Sequence, residues 1–409
     1  MRRPQERALL WLALVWLLAR PPLWWLAPGA DYDMQSYARV ASALAEGRGL
    51  YSDPALAGRY PYLPAWGLLV AGLAALARLL HAAPAFFFKL PALAGDGAVT
   101  LLLYKISGRL VPARPATEEA FWKTRPFWIA LAWAANPLAL MIGAGHGQFD
   151  SLALAFVLLA AWYTEFSEDP RSDLASALSL GFAIAFKTWP LFFLPLFLKG
   201  LSSATERRRY AVAALALPLL LLLPFAMSEP LAPLFKALAY TGSQAFSLPE
   251  ALRGFFFGAG ASPASYIFVA GLWRGMAVAA LGLCWITYGL GPWRFPLFAG
   301  LAFATLSMYV FAPGLAAQYM LWLLPFALLL PGKLALRHSF VGFVALISFY
   351  ALFAPETFLP AAAWAAPALP AWFFLLWAVL NLGLWLYFVR EWTALWRLCR
   401  RPSGRLGFI

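Results

Sequence analysis

Apolar runs recur along the whole of this 409-residue chain, and only 12% of its residues are charged. An average soluble domain carries about a quarter of its residues charged, so this pattern excludes one of such size. In hydrocarbon each backbone N–H and C=O must find a partner within the protein, which favours helices whose bonds close inside one segment. The reading is an all-α polytopic membrane protein, with 1–409 forming a single integral membrane domain. No soluble domain is expected between the runs or at either end. Arg2, Arg3 and Arg7 before the first run resemble the flank of a signal peptide. Arg20 interrupts that run and no small-residue cleavage site follows, so it reads as a retained anchor.

Spans are expected near 8–28, 87–108, 127–144, 151–166, 174–187, 188–199, 210–227, 264–290, 295–311, 318–331, 339–357 and 367–389, about twelve in all. The runs on either side of Lys187 are short. They read either as half-helices meeting in a cavity or as one tilted helix. The stretch 62–80 is apolar enough to cross, but charge argues against it. If it stays on one side, the clusters Arg2/Arg3/Arg7, Lys105–Arg125, Lys199–Arg209, Arg294, Lys333/Arg337 and Arg390–Arg405 all face the cytoplasm. It therefore reads as a juxtamembrane or re-entrant element of a first external loop, 29–86, with both termini cytoplasmic. A second large external loop is expected at 228–263.

The net charge of +13 sits mainly in these short loops, where it sets topology and meets anionic lipid rather than nucleic acid. Cys284 and Cys399 are too far apart in sequence to suggest a disulfide framework or a metal site. The 20 tryptophans suit interfacial anchoring.

Against this background the polar residues between spans stand out. Asp31 and Asp33 follow the first span. Either they cap a helix starting near Met34, or one takes a proton from a hydroxyl while the other orients it or holds a cation. His146, Gln148 and Asp150 occupy a Gly-flanked turn, where Asp150 could cap the next helix or all three could line a site. Lys187, before Pro190, is either a snorkelling anchor or a phosphate-binding cation in a cavity. Lys89 and Asp96, two turns apart, read as structural partners of other helices. Gln318-Tyr319 could bond a head group or cap a turn at the interface.

In order, these features resemble the GT-C superfamily of polyprenyl-phosphate-sugar-dependent glycosyltransferases. Within it the chain is most similar to bacterial polyprenol-phosphate-mannose-dependent mannosyltransferases and to the GPI and N-glycan mannosyl- and glucosyltransferases. The residues that carry the resemblance are Asp31-Tyr32-Asp33 with Tyr37, Glu46-Gly47, Leu50-Tyr51 and Arg59-Tyr60-Pro61-Tyr62-Leu63-Pro64-Ala65-Trp66. Further along come Lys89-Leu90 with Asp96, Tyr104-Lys105, Asn136-Pro137, Gly147-Gln148-Phe149-Asp150, Lys187-x-x-Pro190, and Gln318-Tyr319 with Trp322 and Pro325.

The resemblance implies a catalytic Asp33 assisted by Asp31, with Lys187, His146, Gln318 and Tyr319 at the donor phosphate. Gln148, Asp150, Arg59, Tyr60 and Tyr62 would then hold sugar or acceptor. A hexose, mannose favoured, would pass with inversion from the lipid donor to a lipid or glycan hydroxyl on the outer face of the bacterial inner membrane. A monophosphate leaving group does not call for a metal, although Asp31-x-Asp33 could hold Mg or Mn. The competing class is a polyprenyl- or anionic-lipid flippase using Lys187, His146 and Asp150 as a coupling site. A non-catalytic subunit of an envelope-assembly complex is a third.

Overall fold

The computed structural model describes residues 4–110, 120–229, 246–257, 296–312, 314–358 and 371–399, with Ala232 and several positions in 271–283. Most of the expected span at 264–290, with Arg274 and Cys284, most of the loop 228–263 and the centre of Lys105–Arg125 lie outside the described residues. The described chain is helical and contains no strand. It clusters into two compact units. The first comprises Met1–Leu194, Leu201–Tyr240 and Ala354–Ala361; the second comprises Pro195–Gly200, Thr241–Phe353 and Ala362–Ile409.

The first unit begins with α1 (Pro4–Leu26), α2 (Asp31–Ala45), α3 (Pro64–Leu79), α4 (Pro84–Phe88) and α5 (Leu90–Leu110). It continues through α6 (Arg125–Ala134), a π-helical turn Leu140–His146, α7 (Asp150–Phe166) and α8 (Ser172–Phe186). It ends with α10 (Ala204–Ser228); the short α9 (Leu194–Gly200) that precedes it in the chain belongs, beyond Leu194, to the second unit. Proline starts α3 and α4, where its missing N–H costs nothing. Ser203 and Glu206 close a capping box on α10. Asn136 before Pro137 ends α6 and accepts from the Leu138 N–H at 3.0 Å, so the chain turns towards His146.

Six described helical segments are long and apolar enough to cross a membrane: Gln5–Leu26, Pro84–Leu110, Arg125–His146, Ala204–Ser228, Leu334–Phe353 and Trp372–Leu398. This makes the protein an α-helical membrane protein. Helix α3 has 16 residues, about 24 Å at the helical rise, which is short of a hydrocarbon core of about 30 Å. It buries Trp66, Val70, Ala74 and Ala77 on one face, and the first three join the cluster formed by Tyr37, Val40 and Ala41 of α2. At Lys187 the backbone is extended, and a 3₁₀ turn, Trp189–Phe193, follows. The apolar runs on either side are therefore two short helices rather than one tilted helix.

Polar residues inside the spans join the helices. Arg20 and Asp96, both fully buried, pair at 3.1 Å, and Arg20 also donates to the Ala134 carbonyl. Lys89 donates to the carbonyls of Trp24 (3.2 Å), Ala27 (2.6 Å) and Ala144 (3.1 Å), using all three ammonium protons. These are the structural partnerships expected for Lys89 and Asp96. Gly95 lets α5 approach α7 closely, since a Cβ there would stand 2.3 Å from the Leu152 nitrogen.

The second unit contains α11 (Leu248–Phe257), α12 (Leu297–Phe311), α13 (Leu324–Leu329), α14 (Leu334–Phe353) and α15 (Ala371–Cys399). Arg337 and Glu391 join α14 to α15 through bonds of 2.9 and 2.7 Å. The Phe246 and Leu315 backbones exchange hydrogen bonds of 2.9 and 2.8 Å.

Candidate functional site

The first turn of α2 follows only a few residues after the end of α1. Its N-cap, Ala30, donates to the His146 carbonyl at 3.0 Å, which fixes α2 beside the π-helical turn. Gly147 then reverses the chain at φ 88°, a left-handed conformation that favours glycine. A Cβ there would also meet Met34 Cε at 2.8 Å and Lys89 Cγ at 3.0 Å. This reversal presents His146 and Gln148 to the same side chain.

That side chain is Asp33. His146 Nε2 lies 2.6 Å from Asp33 Oδ2, and Gln148 Nε2 donates to the same oxygen at 2.8 Å. No described residue hydrogen-bonds Oδ1, and the Asp33 side chain is 20% exposed. Burial pushes the Asp33 carboxyl up. The hydrogen bonds from His146 and Gln148, with the charges of His146 and Lys187, outweigh this and hold it below its ordinary 3.8. Asp33 is thus an ionised carboxylate with one oxygen held and the other available.

Behind Gln148 lies Lys187. Its ammonium donates to Gln148 Oε1 at 3.2 Å and pairs with Asp150 at 3.3 Å. It also lies over the rings of Phe149 (4.1 Å) and Tyr62 (4.6 Å). Lysine can only donate, so it holds the Gln148 amide with its oxygen inward and its NH₂ towards Asp33. Trp66 stacks on Phe149 at 3.5 Å and Tyr37 stands edge-on to Trp66, walling the site.

The structure therefore brings together Asp33, His146, Gln148, Asp150, Lys187 and Tyr62. Of the other first-unit candidates, Asp31, Arg59 and Tyr60 make their hydrogen bonds with other groups. Asp31 is exposed, starts α2 without capping it, and accepts from Gln35 at 2.7 Å. Residues two apart on a helix do not share a face, and Asp33 Oδ2 already holds two donors, so this pair does not fit Mg or Mn. Among the described residues no group of three or more His, Cys, Asp and Glu side chains is placed so that it could hold a metal ion.

Lys187, expected at the donor phosphate, is only 4% exposed and already neutralised by Asp150. Its place is structural to Gln148. The Tyr60 hydroxyl donates to the Leu63 carbonyl and accepts the Gly67 N–H, both at 2.7 Å, leaving little for a sugar. Arg59 lies over the Tyr32 ring at 4.5 Å and donates to Ser36 Oγ at 3.2 Å. Gln318 and Tyr319 belong to the second unit, where Tyr319 stacks on Trp322 at 4.0 Å and its carbonyl accepts from Tyr309.

Sequence reasoning left Glu229 without a role. Its carboxylate accepts the backbone N–H groups of Tyr51 (2.8 Å) and Ser52 (3.1 Å) and the Ser52 hydroxyl. Tyr51 in turn donates to the Tyr62 carbonyl at 2.9 Å, fixing the segment that covers Lys187. A lone glutamate at the end of an apolar run was the only signal, and nothing in the sequence named its partner. A scan against protein-family models finds no match to this chain, and a search of curated proteins finds none either.

Proposed function

We propose that this chain is a membrane glycosyltransferase of the GT-C kind, taking a hexose, mannose favoured, from a polyprenyl-phosphate-sugar donor. The observation that carries the reading is Asp33: an ionised, partly exposed carboxylate at the head of a juxtamembrane helix, clamped through one oxygen. A base so held needs no reorganisation before it accepts a proton. The full protein would have about twelve spans, both termini in the cytoplasm of a bacterium and the site on the outer face of its inner membrane.

In the reaction, Asp33 Oδ1 takes the proton of a lipid or glycan hydroxyl. The acceptor oxygen forms its bond to sugar C1 while the bond from C1 to the phosphate oxygen breaks, and that electron pair leaves with the lipid phosphate. One displacement inverts C1. Gln148 and His146 hold the base, and Lys187 holds Gln148.

The test is transfer from radiolabelled polyprenyl-phosphate-mannose and -glucose to membrane lipids by the purified protein in liposomes. Asp33→Asn should lower transfer by about 10²–10⁴-fold, the range for a lost general base. Equal transfer by both proteins would move the base to another carboxylate. Labelled donor crossing the bilayer without transfer would favour the flippase.

A further inference from the structure

We infer that Phe358 is a positioning residue, whose ring, seated on Gly145, holds the π-helical turn so that His146 meets Asp33. The turn is poorly determined by its own residues. A π-helix is rare, and glycine favours a helix less than any residue but proline. Three of the five residues Gly143-Ala144-Gly145-His146-Gly147 are glycines. Its shape therefore comes from what packs against it.

Each of these glycines makes room for a side chain from another element. A Cβ on Gly143 would overlap Asp96 Oδ2, and one on Gly147 would meet Met34 and Lys89. On Gly145 a Cβ would overlap Phe358 Cε1 and stand 2.8 Å from its Cζ. Gly147 also needs its left-handed backbone, which Gly145 does not share. The Phe358 ring is thus what requires glycine at 145.

Phe358 follows the 3₁₀ turn Pro355–Thr357 and donates its N–H to the Pro355 carbonyl at 3.2 Å. Thr357 is fully buried, so this short segment is docked, and it belongs to the first unit. Two hydrogen bonds anchor the π-helical turn on either side of Gly145, Lys89 to the Ala144 carbonyl and Ala30 to the His146 carbonyl. Phe358 bears on the residue between them. Without the ring, Gly145 is free to shift and to carry His146 from its place 2.6 Å from Asp33 Oδ2. The catalytic consequence rests on the transferase reading, whereas the seating of His146 does not, so the two can fail separately.

The test is acylation of His146 by diethyl pyrocarbonate in the full-length protein in detergent, mapped by peptide mass spectrometry with the exposed His81 as internal reference. His146 is 5% exposed and bound to Asp33, so in the wild type it should react slowly. Gly145→Ala pushes the turn off the ring, and Phe358→Leu leaves the socket partly empty. Each should raise the rate about tenfold, equivalent to about 1.4 kcal/mol. In the double variant the new methyl group fills the space that the ring edge leaves, and the rate should return to within about twofold of the wild type. Should Gly145→Ala fail to fold, judged by its thermal midpoint, Phe358→Leu and Phe358→Ala carry the test, with Phe358→Ala the faster to react. In the transfer assay Phe358→Ala should lower kcat by up to about 100-fold, the cost of a displacement of about 1 Å, and leave KM for the donor unchanged.

Unchanged His146 reactivity in Phe358→Ala, effects of Gly145→Ala and Phe358→Leu that simply add, or wild-type kcat in Phe358→Ala would each overturn the inference. The expected pattern of His146 reactivity with no transfer by any of the proteins would support the seating of His146 and overturn the transferase reading.

Discussion

Lys187→Met removes the ammonium and keeps most of the side-chain volume between Phe149 and Tyr62. Asp150, fully buried, then loses the cation 3.3 Å away, and Gln148 Oε1 loses its donor. Breaking a buried pair from one side costs about 3–5 kcal/mol, because the remaining charge is left uncompensated. The lost cation–π contacts add about 1 kcal/mol. Asp150→Asn should cost a similar amount by stranding the lysine. In the double variant neither charge remains, so its cost should fall short of the sum by about 2–3 kcal/mol, the upper range of pairwise coupling.

Unfolding by SDS in mixed micelles, followed by tryptophan fluorescence on all four proteins, closes this cycle. If either single change costs less than about 1 kcal/mol, the level of an exposed pair, or if the two costs simply add, the buried pair does not hold the site together. Activity gives a second reading. Lys187→Met should lower the rate through a misoriented Gln148 even where the fold survives, and Lys187→Met on a Gln148→Leu background should add little.

Other expectations follow from the same contacts. The Asp33 carboxyl is held below 3.8, so its contribution to stability is complete above that pH and is lost as pH falls through its lower folded value. The acid limb of a pH–rate profile should therefore lie below 3.8, and a limb above it would move the base elsewhere. Gly147→Ala should cost about 1–3 kcal/mol from its left-handed backbone, and transfer should fall because His146 and Gln148 shift; a variant with wild-type midpoint and rate would refute this. Glu229→Gln loses an acceptor for Tyr51 and Ser52, a cost of about 1–3 kcal/mol, and limited proteolysis should then cut the 46–58 segment faster than in the wild type.

The membrane class was legible in the sequence because hydrocarbon imposes one requirement everywhere, internal satisfaction of the backbone, and apolar runs record it directly. The signals for the helix starts at Pro64, Pro84 and Ser203 are local as well, since a proline or a capping box acts within one turn, yet the expected elements began at 62, 87 and 210, because hydropathy marks the apolar run and not its cap. The break at Lys187 lay between these cases: the short runs revealed it, but only the extended backbone there separated two helices from one.

Function-bearing residues were legible as types and not as partners. Asp31 and Asp33 are equivalent in sequence, two acids in one helical turn, yet the helix turns one to Gln35 and the other to His146. Lys187 read as a phosphate ligand in preference to an anchor until Phe149, Tyr62 and Asp150 closed around it. Arg20 only interrupted an apolar run until Asp96 met it from α5. The sequence alone determined that polar groups would be few and that each would need a partner, because a charge left alone in a medium of low dielectric is too costly to persist. The tertiary structure chose which partner each one has, because that depends on contacts between helices tens of residues apart along the chain.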